Sequence, residues 1–108
     1  MSIQVSLDEI PTVALDYGGA PYVLVSLADG PPRITHSLVR FESGDLLVTL
    51  GRRSASAVAD NPLVSVLWPA AGAQPMSLIV DGVAVSEGGQ AEFRIKPTSA
   101  VRHRPASG

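Results

Sequence analysis

The sequence predicts a mainly β domain, an antiparallel sandwich or barrel of about six strands carrying two short helices. Three observations predict it. Turn signals recur roughly every 8–12 residues. The runs between them are short and rich in valine, leucine and isoleucine, residues that suit a packed, pleated surface. Helix signals are confined to two stretches, 6–16 and 54–60, with one more helical turn expected near the end.

In order along the chain, residues 6–16 read as a short helix. Ser6 and Glu9 have capping-box spacing, while Leu7, Ile10, Ala14 and Leu15 line one side. Pro11 is compatible because a helix start tolerates proline. Tyr17-Gly18-Gly19 stops it, and 21–28 (PYVLVSLA) reads as a strand closed by the turn pair Asp29-Gly30. Residues 33–41 (RITHSLVRF) alternate as one strand. Arg33, Thr35, Ser37, Val39 and Phe41 face one way; Ile34, His36, Leu38 and Arg40 face the other. Glu42-Ser43-Gly44-Asp45 makes a hairpin into the strand 46–50. A helix over 54–60 ends at Asn61-Pro62, because the residue before proline avoids helical geometry. Strand 63–68 follows, then a loop of small residues over 69–75. Within 76–86, Asp81-Gly82 is either a tight hairpin turn or a bulge in one long strand. Glu87-Gly88-Gly89-Gln90 turns into the last strand, 91–96. Thr98 is placed to cap a short helical turn reaching His103, and 104–108 reads as a loose tail.

The 108 residues make one domain. A net charge of −2 argues against a nucleic-acid binder. Without cysteine there is no disulfide frame, no thiolate metal site and no cysteine nucleophile. His36 and His103 stand at no metal-ligand spacing. Neither a leader pattern nor a membrane-length apolar run is read, so a soluble, cytoplasmic protein is expected. The chain is 45% hydrophobic but only 17% charged, lean in charge for so small a domain. A small domain cannot hide that much apolar surface alone, and a second subunit is expected to cover part of it.

No nucleophile elbow, Walker loop or Rossmann fingerprint occurs. The carboxylates Asp29, Glu42, Asp45 and Glu87 fall in turns and read as solvated. The chain therefore points to borrowed chemistry, a bound cofactor rather than its own side chains. Arg52, Arg53 and Ser54 stand where a helix begins. Unpaired N–H groups there, two guanidiniums and a hydroxyl make a seat for a phosphate. The plainer reading makes the arginines solvated charges and Ser54 an N-cap. His36 reads as a satisfied, partly buried histidine. Thr35 and Ser37 form a polar strip that marks either a ligand face or the solvent side of the sheet. Trp68 reads as core or interface.

The order of these elements carries a resemblance. A strand runs into Ala-Asp-Gly-Pro-Pro; then come the Glu-Ser-Gly-Asp hairpin, Leu-Leu-Val-Thr-Leu-Gly-Arg-Arg-Ser, a short helix, Asp-Asn-Pro and Leu-Val-Ser-Val-Leu-Trp. With Leu-Ile-Val-Asp-Gly-Val-Ala-Val and the closing Ile-Lys-Pro-Thr-Ser-Ala-Val-Arg-His-Arg-Pro, the chain resembles the pyridoxamine 5′-phosphate oxidase-like, FMN-binding split-barrel family from Tyr22 to Pro105. The resemblance implies a six-stranded antiparallel split β-barrel, a homodimer, and reads Asp81-Gly82 as a bend in one strand. It implies bound FMN, or a deazaflavin in some members, serving an oxidoreductase that acts on a small molecule. The alternative is a non-catalytic dimeric member with no flavin that binds a small anionic ligand or partner. Carried over by position, Thr49, Arg52, Arg53 and Ser54 meet the phosphate, and Thr35, His36 and Ser37 border the flavin ring. No catalytic side chain and no metal is implied. Many members carry a lysine near the position of Ser54, whereas the single lysine here is Lys96.

Overall fold

The computed structural model describes residues 2–18, 20–71, 74–89 and 91–105. Its strands are β1 (Ser2–Gln4), β2 (Tyr22–Val25), β3 (Arg33–His36), β4 (Arg40–Glu42), β5 (Asp45–Thr49), β6 (Leu63–Trp68), β7 (Ser77–Ser86) and β8 (Glu92–His103). The two short helices are α1 (Ile10–Ala14), preceded by a 3-10 turn at Leu7–Glu9, and α2 (Arg52–Asp60). Among the described residues no helix is long and apolar enough to cross a membrane.

All strand pairs are antiparallel, in the order β3-β2-β6-β7-β8-β5-β4, with β1 added beside β8. The two ends of that order, β3 and β4, are consecutive in the chain and separated only by 37–39. So short a link forces the sheet to curl until its ends approach, giving a split barrel. Ser37 closes the seam. Its N–H donates to Pro21 O (3.1 Å) on the β2 side, and its hydroxyl, shared between Leu38 O (3.0 Å) and Thr49 O (3.2 Å), reaches the β5 side. The expected single strand 33–41 is therefore two strands. Alternation survives the break because Thr35, Ser37, Val39 and Phe41 all remain turned inward while the pairing partner changes.

The inward residues of β2, β5, β6, β7 and β8 form the core, with Val23, Val66, Leu46, Leu78, Val80 and Ile95 all fully buried. Each such side chain contributes about 1.5–3 kcal/mol by leaving water. Ile10 and Ala14 of α1 and Tyr17 just after it plug one end of the barrel. Leu7 and Leu15 do not join them: Leu15 is 81% exposed. The capping box does not form either. Ser6 makes no side-chain cap, and Glu9 N–H instead donates to the Ser6 carbonyl (3.0 Å), closing a 3-10 turn.

β7 is one strand through Asp81-Gly82, as the bend reading expects. The extra residue lies opposite it: Asp81 pairs with Ser99 and Gly82 with Pro97, leaving Thr98 bulged. The Thr98 hydroxyl donates to Asp81 O (3.2 Å). The bulge accommodates Pro97, which has no N–H for the ladder. Beyond it β8 continues to His103, where a helical turn was expected. Long-range pairing with β7 on one side and β1 on the other overrides the local Thr98 signal. Six expected strands thus become eight, seven on the main path, through the split of 33–41 and the unforeseen β1. The expected turn at 87–90 is present through Gly89, and Gln90, Gly19, 72–73 and 106–108 lie outside the described residues.

Candidate functional site

β5 delivers the chain to one end of the barrel, where buried Leu50 anchors it; its N–H donates to Ala91 O (2.8 Å). Gly51 is extended and serves as the N-cap of α2, so the helix starts at Arg52, two residues before the expected start. Ala57 and Val58 face the core and hold the helix against it. The first intrahelical bond runs from Ala55 N–H to Gly51 O (2.8 Å). That leaves the N–H groups of Arg52, Arg53 and Ser54 without helical partners, and among the described residues no side chain caps them.

Ser54 is only 2% exposed and is not a cap. Its hydroxyl lies 3.0 Å from Thr35 Oγ1, tying the start of α2 to β3. Ser37, also buried, holds the Thr49 carbonyl, tying β5 to the same place. The structure thus brings the side chains of Thr35, Ser37 and Ser54 and the Thr49 carbonyl to one seam, with the Thr49 side chain turned outward and Arg52 and Arg53 exposed at the start of α2. Among the described residues neither arginine is in an ion pair or a side-chain hydrogen bond.

His36 is not part of that group. It sits on the outer face of β3, exposed, with its ring stacked on Tyr22 (centroids 4.5 Å apart, planes at 16°). Its Nε2 lies 2.8 Å from Ala20 O, and a carbonyl only accepts. Nε2 therefore donates.

Sequence reasoning missed three features. Glu42, Asp45 and Glu87, though still reached by solvent, are not free: they converge on Arg94 at 2.6, 3.2 and 2.6 Å. The hydrogen bond from Arg94 holds the Glu87 carboxyl below its ordinary range, and the same contacts, Glu87 first, raise the Arg94 value. The second is a cavity of about 410 Å³ between 26–29 and the outer side of α2, with Arg53, Ser56 and Asp60 on its wall. Their helical spacing is the signal that could have found it. A third feature needs the fold itself: among the described residues Tyr17 Oη and Arg102 Nε are buried without hydrogen-bond partners, and burial raises the Tyr17 pKa. Among the described residues no cluster of side chains could hold a metal ion.

No protein-family model matches the chain, and no curated protein matches its sequence. Solved structures do match its fold. A FAD-binding protein from Mesorhizobium loti superposes with a TM-score of 0.65 at 16% identity, over 94% of this chain and 96% of that one. A FAD-binding protein from Mycobacterium smegmatis gives 0.66 at 20% identity, over 96% and 100%. The curled antiparallel half-barrel with two short helices is a fold this chain shares with both.

Proposed function

We propose that the chain is a flavin-nucleotide-binding split-barrel protein of the pyridoxamine 5′-phosphate oxidase-like type, working in the cytoplasm as a homodimeric oxidoreductase on a small molecule. One observation carries the reading. Two unpaired guanidiniums and three uncapped N–H donors meet at the start of α2, on a fold shared with two FAD-binding proteins. That donor set fits a phosphate.

A flavin bound there, as FMN or a longer nucleotide, supplies hydride or electron transfer. The chain's own residues hold and orient. Arg52 and Arg53 balance the phosphate charge. Thr35 fixes Ser54, and through it the helix start, at a set distance from β3. Ser37 holds Thr49 at the seam and keeps water from entering between β3 and β5.

The second copy is assigned to the outer sheet face. Tyr22, Leu67, Ile79 and Val101 form one row across β2, β6, β7 and β8, beside Leu24 and Ile34. Ile34 and Leu63 are 60% and 62% exposed, and His36 looks out from the same face. A stable dimer buries on the order of 1,200–2,000 Å² there; light scattering that finds a monomer at micromolar concentration overturns the assignment.

The test of the cofactor is titration of FMN and riboflavin into the wild type, Arg52→Ala and Arg53→Ala. Each substitution is expected to weaken FMN about ten- to a hundredfold and to leave riboflavin unchanged. Equal losses for both ligands, or a wild type that binds neither, overturn the reading and favour a non-catalytic binder.

A further inference from the structure

We propose that the cavity beside Arg53 receives the nucleoside half of a flavin dinucleotide, an inference that rests on the flavin reading above. Arg53, Ser56, Ala57 and Asp60 recur at helical spacing and present one face of α2 to the segment 26–29 across the gap. Arg53 belongs both to the helix start and to this wall, so a ligand leaving the phosphate seat on that side enters the cavity directly.

The lining chooses among ligand groups. Asp29 and Asp60 bring two carboxylates against one guanidinium, so a further phosphate inside the cavity meets net repulsion. A diol does not. Carboxylates accept hydrogen bonds from vicinal ribose hydroxyls, the use dinucleotide-binding folds make of an acidic residue. Among the described residues neither Asp29 nor Asp60 has an ion-pair partner, so both are available. Asn61 Oδ1 already accepts from Leu63 N–H (3.1 Å), which leaves the amide NH₂ to donate to a base nitrogen. Leu27 and Ala57 give the base an apolar wall. At about 410 Å³ the space falls within the usual range for small-molecule sites. A mononucleotide leaves all of these groups unused.

The experiment titrates FAD and FMN into the wild type, Asp60→Ala and Ser56→Trp, both at exposed helix positions. FAD is expected to bind the wild type about ten- to a hundredfold more tightly than FMN. Both substitutions are expected to bring FAD down to the level of FMN while FMN itself stays unchanged. Millimolar adenosine, which has no phosphate, is expected to weaken FAD but not FMN on the wild type, a reading that needs no variant. Equal wild-type affinity for FAD and FMN, adenosine without effect, or FMN weakened as much as FAD by Ser56→Trp overturns the nucleoside site and leaves the flavin reading standing. A wild type that binds neither flavin overturns that reading, and the nucleoside site with it.

Discussion

Arginine is used in two opposite ways at two places in this barrel. Arg94, on β8, is surrounded: Glu42, Asp45 and Glu87 neutralise it and bind the β4–β5 hairpin to the β7–β8 corner. Among the described residues Arg52 and Arg53 have no such partners, and they stand at the positive end of a helix dipole, where a cation is unfavourable by about 0.3–1 kcal/mol. The first arrangement is complete within one chain. The second, among the described residues, has no carboxylate within ion-pair distance. Both exposure and pairing separate the two kinds of site: Arg94 is largely covered and holds three carboxylates within 3.2 Å, while Arg52 and Arg53 are exposed and in no ion pair among the described residues.

Charge reversal gives the largest contrast. Arg52→Glu with Arg53→Glu is expected to weaken FMN more than a hundredfold, the sum of two lost charged contacts. The same change raises folding stability by about 0.3–1 kcal/mol per site, because anions suit a helix start. Isothermal titration and thermal melting read the two effects, and a stability loss in this variant breaks the comparison. Next, Arg94→Met strands three carboxylates against one another, and its melting temperature is expected to fall by several degrees while FMN affinity holds. If FMN affinity falls in step, the clasp and the seat are not separate devices.

Smaller effects sharpen the comparison. Thr35→Val and Ser54→Ala each remove a hydroxyl from a pair that is part-buried, at about 1 kcal/mol apiece. In the double variant the two losses are expected to add to less than their sum, since they share one bond; full additivity in chemical denaturation refutes the link between β3 and α2. The mildest effect is acid sensitivity. Glu87 titrates below its ordinary value of 4.5 in the folded chain, so its contribution is whole above that value and is lost as the pH falls through the folded pKa. Wild type is therefore expected to lose stability below about pH 4.5 more steeply than Glu87→Gln, as acid-melting curves would show.

Elements set by local chemistry were legible. Strand 63–68 lies where the apolar run puts it, and the hairpin at Ser43-Gly44 uses two positive φ angles, 53° and 84°. The single strand through Asp81-Gly82, which the residues alone left open between a turn and a bulge, is the one the family resemblance implied. Gly82 is required there, since a Cβ would lie 2.6 Å from the Lys96 carbonyl. What the sequence hid depends on distant partners. Thr35, nineteen residues away, takes the Ser54 hydroxyl from the capping role that serine usually fills. Pro97 reads as the end of a strand until Gly82 is known to lie opposite it. Nothing in Ser2–Gln4 announces a partner near residue 103, and three turn carboxylates give no sign that they share one guanidinium. Of the seven expected site residues, Thr35, Ser37 and Ser54 meet at the seam; Thr49 brings only its carbonyl there, Arg52 and Arg53 stand exposed at the start of α2, and His36 is separated by the same alternation that the sequence displays.

The pairing of Ser2 with His103 places the two ends of the described chain on adjacent strands, which makes the barrel a natural subject for circular permutation. A short linker could join those strands, and new ends could be opened at the exposed turn Asp29-Gly30. Such a rewired chain keeps every carboxylate around Arg94 and cuts only the rim of the cavity beside α2. Opening at Ser43-Gly44 instead severs the clasp and spares that rim. The two permutants would divide the molecule's architecture from its ligand recognition without changing a single side chain.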